Sequence, residues 1–201
     1  MANYRTSRVL PIILVVVIII IAIASLVSLA RVVFFSGSSS PETVQVDISR
    51  DSLLNTGITH SVQMTVRGPI VADEEFYSYQ IDVSPTSRSL RTYNGYLGSI
   101  VNEVMLDNSG AAYEQFVFAL DKANLPKGEE LEGEKNDVRG ICATGRVYEF
   151  AIINGSDVVK KIWTSTCKGS QGSLDASVAQ LQALFLAQIP DSEQFIRKIN
   201  L

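Results

Sequence analysis

Residues 9–30, VLPIILVVVIIIIAIASLVSLA, carry no charged side chain, and their only hydroxyls are Ser25 and Ser28. Ile12 to Ile21 is an unbroken run of ten Ile, Leu and Val residues. As a helix rising about 1.5 Å per residue the segment is roughly 33 Å long, enough to cross a hydrocarbon core of roughly 30 Å. No face of it is polar, so it does not read as an amphipathic core helix. β-branching disfavours such a helix in water, but in lipid every backbone group must pair within the segment, and a helix achieves that. Pro11 falls in the first turn, where its missing N–H costs little.

The flanks give a direction. Arg5, Arg8 and the amino terminus precede the segment, and Arg31 alone follows it before Val32, Val33, Phe34 and Phe35. The positive-inside rule then places residues 1–8 in the cytoplasm, a membrane signal-anchor over 9–35, and everything later outside. A cleaved signal peptide is the competing reading, with small-x-small triplets at Ala22–Ala24 and Ser28–Ala30. The apolar run continues past the first site and Arg31 directly follows the second, which favours an uncleaved anchor. Residues 36–41, SGSSSP, form a flexible linker. Both readings put residues 42–201 in an oxidising, extracytoplasmic compartment of the cell envelope.

All 21 acidic residues lie at position 42 or later, with 14 of the 17 basic ones, so the outer part carries a net −7. An acidic domain does not lie down on an anionic membrane and does not read as a nucleic-acid binder. Its partners are expected to be the bilayer, through residues 9–30, and an envelope protein or peptide.

Within 42–201 the patterning predicts an α+β fold, an antiparallel sheet with helices on one face. Alternation predicts strands over 43–49, 60–67 (with Val62, Met64 and Val66 on one face and His60 beside them), 76–83 and 87–93. Ile70-Val71 reads as a continuation of the second strand after Gly68-Pro69. Residues 97–105 have helical apolar spacing but follow an Asn94-Gly95 hairpin signal, and are read as a strand. A helix is expected over 110–124, capped by Ser109 or Asn108, with Tyr113, Phe116, Val117 and Leu120 inward. Residues 128–140 read as an exposed polar loop. A second helix is expected from Ser173, and a short third one capped by Asp191.

Cys142 and Cys167 are the chain's two cysteines. Between them, Asn154-Gly155 separates two β-rich runs, a strong hairpin signal. A two-residue loop at that dipeptide sets Phe150 against Val159, Val147 against Ile162, Glu149 against Lys160, and Cys142 against Cys167. A cross-strand disulfide Cys142–Cys167 is therefore expected, with Gly145 as the place where a bulge would shift the register.

Catalytic patterns are sparse. One histidine, His60, sits in a strand pattern, and no nucleophile elbow, phosphate loop or zinc motif accompanies it. No cofactor or metal is expected. The carboxylate clusters Asp73-Glu74-Glu75 and Glu129–Glu134 read as turn and loop. Arg67, Arg88 and Arg91 fall on neighbouring strands as a candidate anion or partner contact. Tyr77, Tyr79, Tyr93 and Tyr96 are candidates to line a groove. The leading expectation is a non-catalytic, membrane-anchored binding domain with a free sheet edge for a partner strand. The alternatives are a cell-envelope hydrolase using a carboxylate pair and an accessory subunit of a membrane complex.

Overall fold

Contacts divide the chain into Met1–Gln45 and Val46–Leu201. The structure, a computed structural model, describes residues 48–199 and 201. The tail, anchor and linker expected over 1–41, and residues 43–47 of the first expected strand, lie outside the described residues. Among the described residues no helix is long and apolar enough to cross a membrane.

Helix α1 (Ile48–Leu54) is followed by strands β1 (His60–Arg67), β2 (Tyr77–Val83), β3 (Ser87–Asn94) and β4 (Ser99–Asp107). Helix α2 (Gly110–Lys122) leads to β5 (Val147–Asn154), β6 (Asp157–Ser165), α3 (Val178–Leu186) and α4 (Ser192–Ile196). The sheet order is β4-β3-β2-β1-β5-β6, antiparallel throughout. Four strands form a meander, and the chain then returns through α2 to lay β5 on the other side of β1. The expected α+β fold, with an antiparallel sheet and helices, is what forms.

Period-2 patterning decides which face is buried. His60, Val62, Met64 and Val66 of β1 are buried, with Gln63 and Thr65 between them on the other face. Pairing carries this face across the sheet, because Met64 opposes both Ile81 and Phe150. Leu53, Tyr113, Phe116, Val117, Leu120, Leu181 and Phe185 from the three longer helices join these strands in one core. Phe185 packs edge-on against Phe116 with ring centroids 5.2 Å apart, and lies 5.9 Å from Phe150.

Helix α2 has its expected face and cap. Ser109 Oγ accepts from the Ala112 N–H. It stops at Lys122 because Asn124 turns left-handed, with φ 64°. Leu125 N–H then reaches the Leu120 carbonyl, Asn124 N–H reaches that of Asp121, and the two leucines are buried. This is a Schellman closure, in which orphan carbonyls are satisfied before Pro126 is reached.

Several expectations are corrected. Ile48 and Ser49 belong to α1, not to a strand. One cause is visible in the topology: β1 is flanked on both sides by β2 and β5. Ile70 and Val71 are loop, because Ile70 N–H is taken by the Ala143 carbonyl. Helix α3 begins at Val178, capped by Ser177, rather than at Ser173. The N–H groups of Ser173 and Leu174 both reach the Trp163 carbonyl, which holds this stretch along the edge of β6 ahead of the helix. Asp191 is left-handed, with φ 58°, and makes no side-chain cap. Within the 128–140 stretch, Val138 is buried and packs with Leu131, Ile141, Cys142, Val147 and Trp163 on the sheet's second face.

Deleting the ring that touches both α2 and β5 should be costly. Phe185→Ala is expected to lower stability by about 3–5 kcal/mol in urea unfolding of the full-length chain. A loss below about 1 kcal/mol would mean that α3 is not docked as described.

Candidate binding surfaces

The hairpin between the cysteines forms, but in another register. Asn154 pairs with Asp157, so the two loop residues are Gly155 and Ser156. Asn154 stays in the ladder because it opposes His60, and its Oδ1 accepts from Thr59 Oγ1 at 2.8 Å. An irregularity at Val159 adds one more residue of shift. Phe150 therefore faces Ile162 instead of Val159, Val147 faces Ser165 instead of Ile162, and Glu149 faces Trp163 instead of Lys160.

The disulfide nevertheless joins Cys142 and Cys167, with Cα atoms 5.5 Å apart. It is not a ladder pair. Strand β5 starts at Val147, and the chain bends over residues 143–145 to bring Cys142 back. A Cβ at Gly145 would lie 2.2 Å from Thr166 Oγ1 and 2.9 Å from Cys142 Sγ, so the bend requires glycine. Below it, Thr166 and Arg146 exchange hydrogen bonds through Thr166 N–H to the Arg146 carbonyl and Arg146 N–H to Thr166 Oγ1.

The three candidate arginines do not meet. Arg88 opposes Val83 and Leu106 on the helix-covered face, and its Nε is buried without a hydrogen-bond partner among the described residues. Arg91 lies on the other face within a polar lattice, where its Nε donates to Glu103 at 2.6 Å and Nη1 to Asp82 at 3.4 Å. Glu103 holds the Arg91 guanidinium above its ordinary pKa. Gln63 and Gln80 also donate to Asp82, at 2.7 and 2.8 Å. Arg67 shares that face at the end of β1, and its Nε donates to Glu149 Oε1 at 2.5 Å. Lys161 takes the other oxygen of this buried carboxylate at 2.7 Å.

The tyrosines also separate. Tyr79 is buried among the helices, its hydroxyl accepts from Gln182 Nε2 at 2.9 Å, and burial pushes its pKa up to about 12. Tyr93 points to the opposite face, opposing Ser78. Tyr96 stacks on Phe76, with centroids 4.1 Å apart and planes 15° from parallel.

The residues considered for catalysis are occupied structurally. His60 is buried in β1, and Asp73 Oδ1 accepts from the Tyr96 N–H at 2.8 Å. Glu130 accepts from the Lys161 N–H and from Asn136 Nδ2. Among the described residues no group of three or more His, Cys, Asp or Glu stands together as a metal would require.

The two sheet edges differ sharply. On β6, the Trp163 carbonyl accepts from Ser173 and Leu174, Trp163 N–H donates to Ser173 Oγ, and Lys161 N–H donates to Glu130. That edge is covered. On β4, no outward backbone group bonds to another segment among the described residues. Ile100, Val101 and Met105 are 57, 48 and 63% exposed, and Leu97 in the preceding turn is 97% exposed. In the sequence these residues form an ambiguous helix-or-strand pattern; in the structure Ile100 and Met105 are exposed because they oppose Tyr93 and Ser89 on the face away from the helices, and Val101 because it is the unpaired residue of a bulge, while Val104 and Leu106 pack on the core.

Compared with models of known protein families and with curated protein sequences, the chain matches none.

Because the disulfide closes a segment spanning 25 positions outside the ladder, its loss should cost stability without erasing the sheet. Replacing both cysteines by serine is expected to cost about 3 kcal/mol. The check is urea unfolding followed by far-UV circular dichroism. A cost near zero would mean that the 131–146 segment is held by its other contacts alone.

Proposed function

We propose that the chain is a single-pass, membrane-anchored interaction domain with its N-terminus in the cytoplasm and its α+β domain outside. In this reading it is not an enzyme. It accepts an extended strand from another envelope protein along β4. Open antiparallel edges recruit strands because a partner's N–H and C=O groups satisfy the unpaired row, while exposed side chains choose the partner. The observation that carries the reading is the contrast between edges: β6 is covered by residues 173–174 and Glu130, and β4 is bare and apolar. Strand β4 carries no lysine or proline; its guards are a bulge at Val101 and the charge of Glu103, which is paired with Arg91. The anchor over 9–35 and the disulfide both suit an extracytoplasmic position. Each carboxylate cluster considered for hydrolysis has members committed to turn or loop hydrogen bonds, which is why binding is preferred to hydrolysis.

Two measurements on the full-length chain in its own membranes test this. Protease added outside intact cells should remove residues 48–201; complete protection would contradict the topology. A photo-crosslinking side chain at Met105 should give discrete adducts that Val101→Lys suppresses at least tenfold while the melting temperature holds. The same probe at Lys161 should give none. Adducts equal at both edges, or unaffected by Val101→Lys, would remove β4 as the docking edge.

A further inference from the structure

On the polar face, where β1 ends and β5 begins, lies a cavity of about 310 Å³. Its size is at the lower end of ligand pockets, which run from about 300 to 1,000 Å³. It is lined by the stacked rings of Phe76 and Tyr96 and by Val138, Ile141 and Cys142. These walls are fixed. Tyr96 Oη donates to the Val71 carbonyl at 2.8 Å and accepts from the Val71 N–H at 3.1 Å. Ile70 N–H donates to the Ala143 carbonyl, and Cys142 is tied to Cys167.

Two arginines, Arg67 and Arg139, line the cavity, and the carboxylates that pair with them, Glu149 and Asp137, lie behind its lining. Neither guanidinium is fully used. Arg67 gives Nε to Glu149, and its two Nη atoms have no hydrogen-bond partner among the described residues. Arg139 grips Asp137 through Nε and Nη2, which leaves Nη1. The Arg139 hydrogen bonds hold the Asp137 carboxyl down at about 2, and the Arg139 side chain is itself 87% exposed.

We propose that this cavity binds a small aromatic carboxylate, with its ring against the Phe76–Tyr96 pair and its anion between Arg67 and Arg139. A guanidinium donates paired N–H groups to a planar carboxylate, and a rigid aromatic wall favours a flat apolar body. Preorganised walls lose little freedom on binding. The same chemistry is offered by a free acid and by the last residue of a peptide. The site is separate from β4 and does not depend on strand docking.

The test is a methyl-resolved NMR titration of the full-length chain in micelles. The probes are 3-phenylpropionate, its neutral counterpart 3-phenylpropan-1-ol, and the tripeptide Ala-Ala-Phe. Saturable shifts are expected at Ile70, Val138, Ile141 and Val147, with the acid binding roughly tenfold tighter than the alcohol. Arg139→Gln, at an exposed position, should weaken the acid by a similar factor. Arg67→Lys, which keeps the charge beside Glu149, should weaken it less. Ala-Ala-Phe binding at least tenfold tighter than the free acid assigns the site to a peptide terminus; equal or weaker binding assigns it to a small molecule. Equal affinity for acid and alcohol, or shifts that do not saturate, would overturn the proposal.

Discussion

An open antiparallel sheet has two unpaired backbone rows, and this fold treats them in opposite ways. At β6 the chain lays residues 173 and 174 along the edge. The N–H groups of Ser173 and Leu174 turn to Trp163, and α3 starts only after Ser177. At β4 nothing comparable among the described residues exists. The cost of an exposed strand edge is the risk of association with other chains. The chain covers one edge with residues 173–174 and Glu130 and leaves Ile100, Val101 and Met105 exposed on the strand at the other.

The core explains why this edge stays in place. Strand β1 is paired on both sides from Val62 to Arg67, and its buried residues fix the register, since a slip by one would turn Val62, Met64 and Val66 outward. Within the sheet, β1 is the strand that joins the meander to the β5–β6 hairpin. The second face has a different construction. Its middle is an exchange of hydrogen bonds among Gln63, Gln80, Asp82, Arg91 and Glu103, and its far side is closed by the disulfide-tied segment over Val147 and Trp163. The cavity with Arg67 and Arg139 is lined by part of the disulfide-tied segment, through Val138, Ile141, Cys142 and Val147.

Much of the fold was legible in the sequence. Alternation located β1 and β2, and a cap with helical spacing located α2 and its four buried residues. The misplacements share one cause: local signals lost to contacts distant in sequence. Asn154-Gly155 is a strong turn dipeptide, but Thr59 and His60 hold Asn154 in the ladder. Leu174 has helical spacing with Val178, but it lies against β6 and the helix opens only after the Ser177 cap. The cysteine pairing was reached through a register the structure does not adopt; the bend at Gly145 restores the meeting. Arg67, Arg88 and Arg91 lie on neighbouring strands, but parity puts Arg88 on the other face. The cavity was not legible, because Phe76, Tyr96, Arg139 and Ile141 come from turns and loops whose approach depends on the finished sheet.

The most direct test of the edge contrast is hydrogen–deuterium exchange on the isolated full-length chain, resolved to single amides. The outward-pointing amides of β4 should exchange with little protection, while those of Lys161 and Trp163 on β6 should be protected to nearly the level of β1. Outward amides of β4 protected as strongly as those of Lys161 and Trp163 would show that the edge is already closed, and the account built on it would fail.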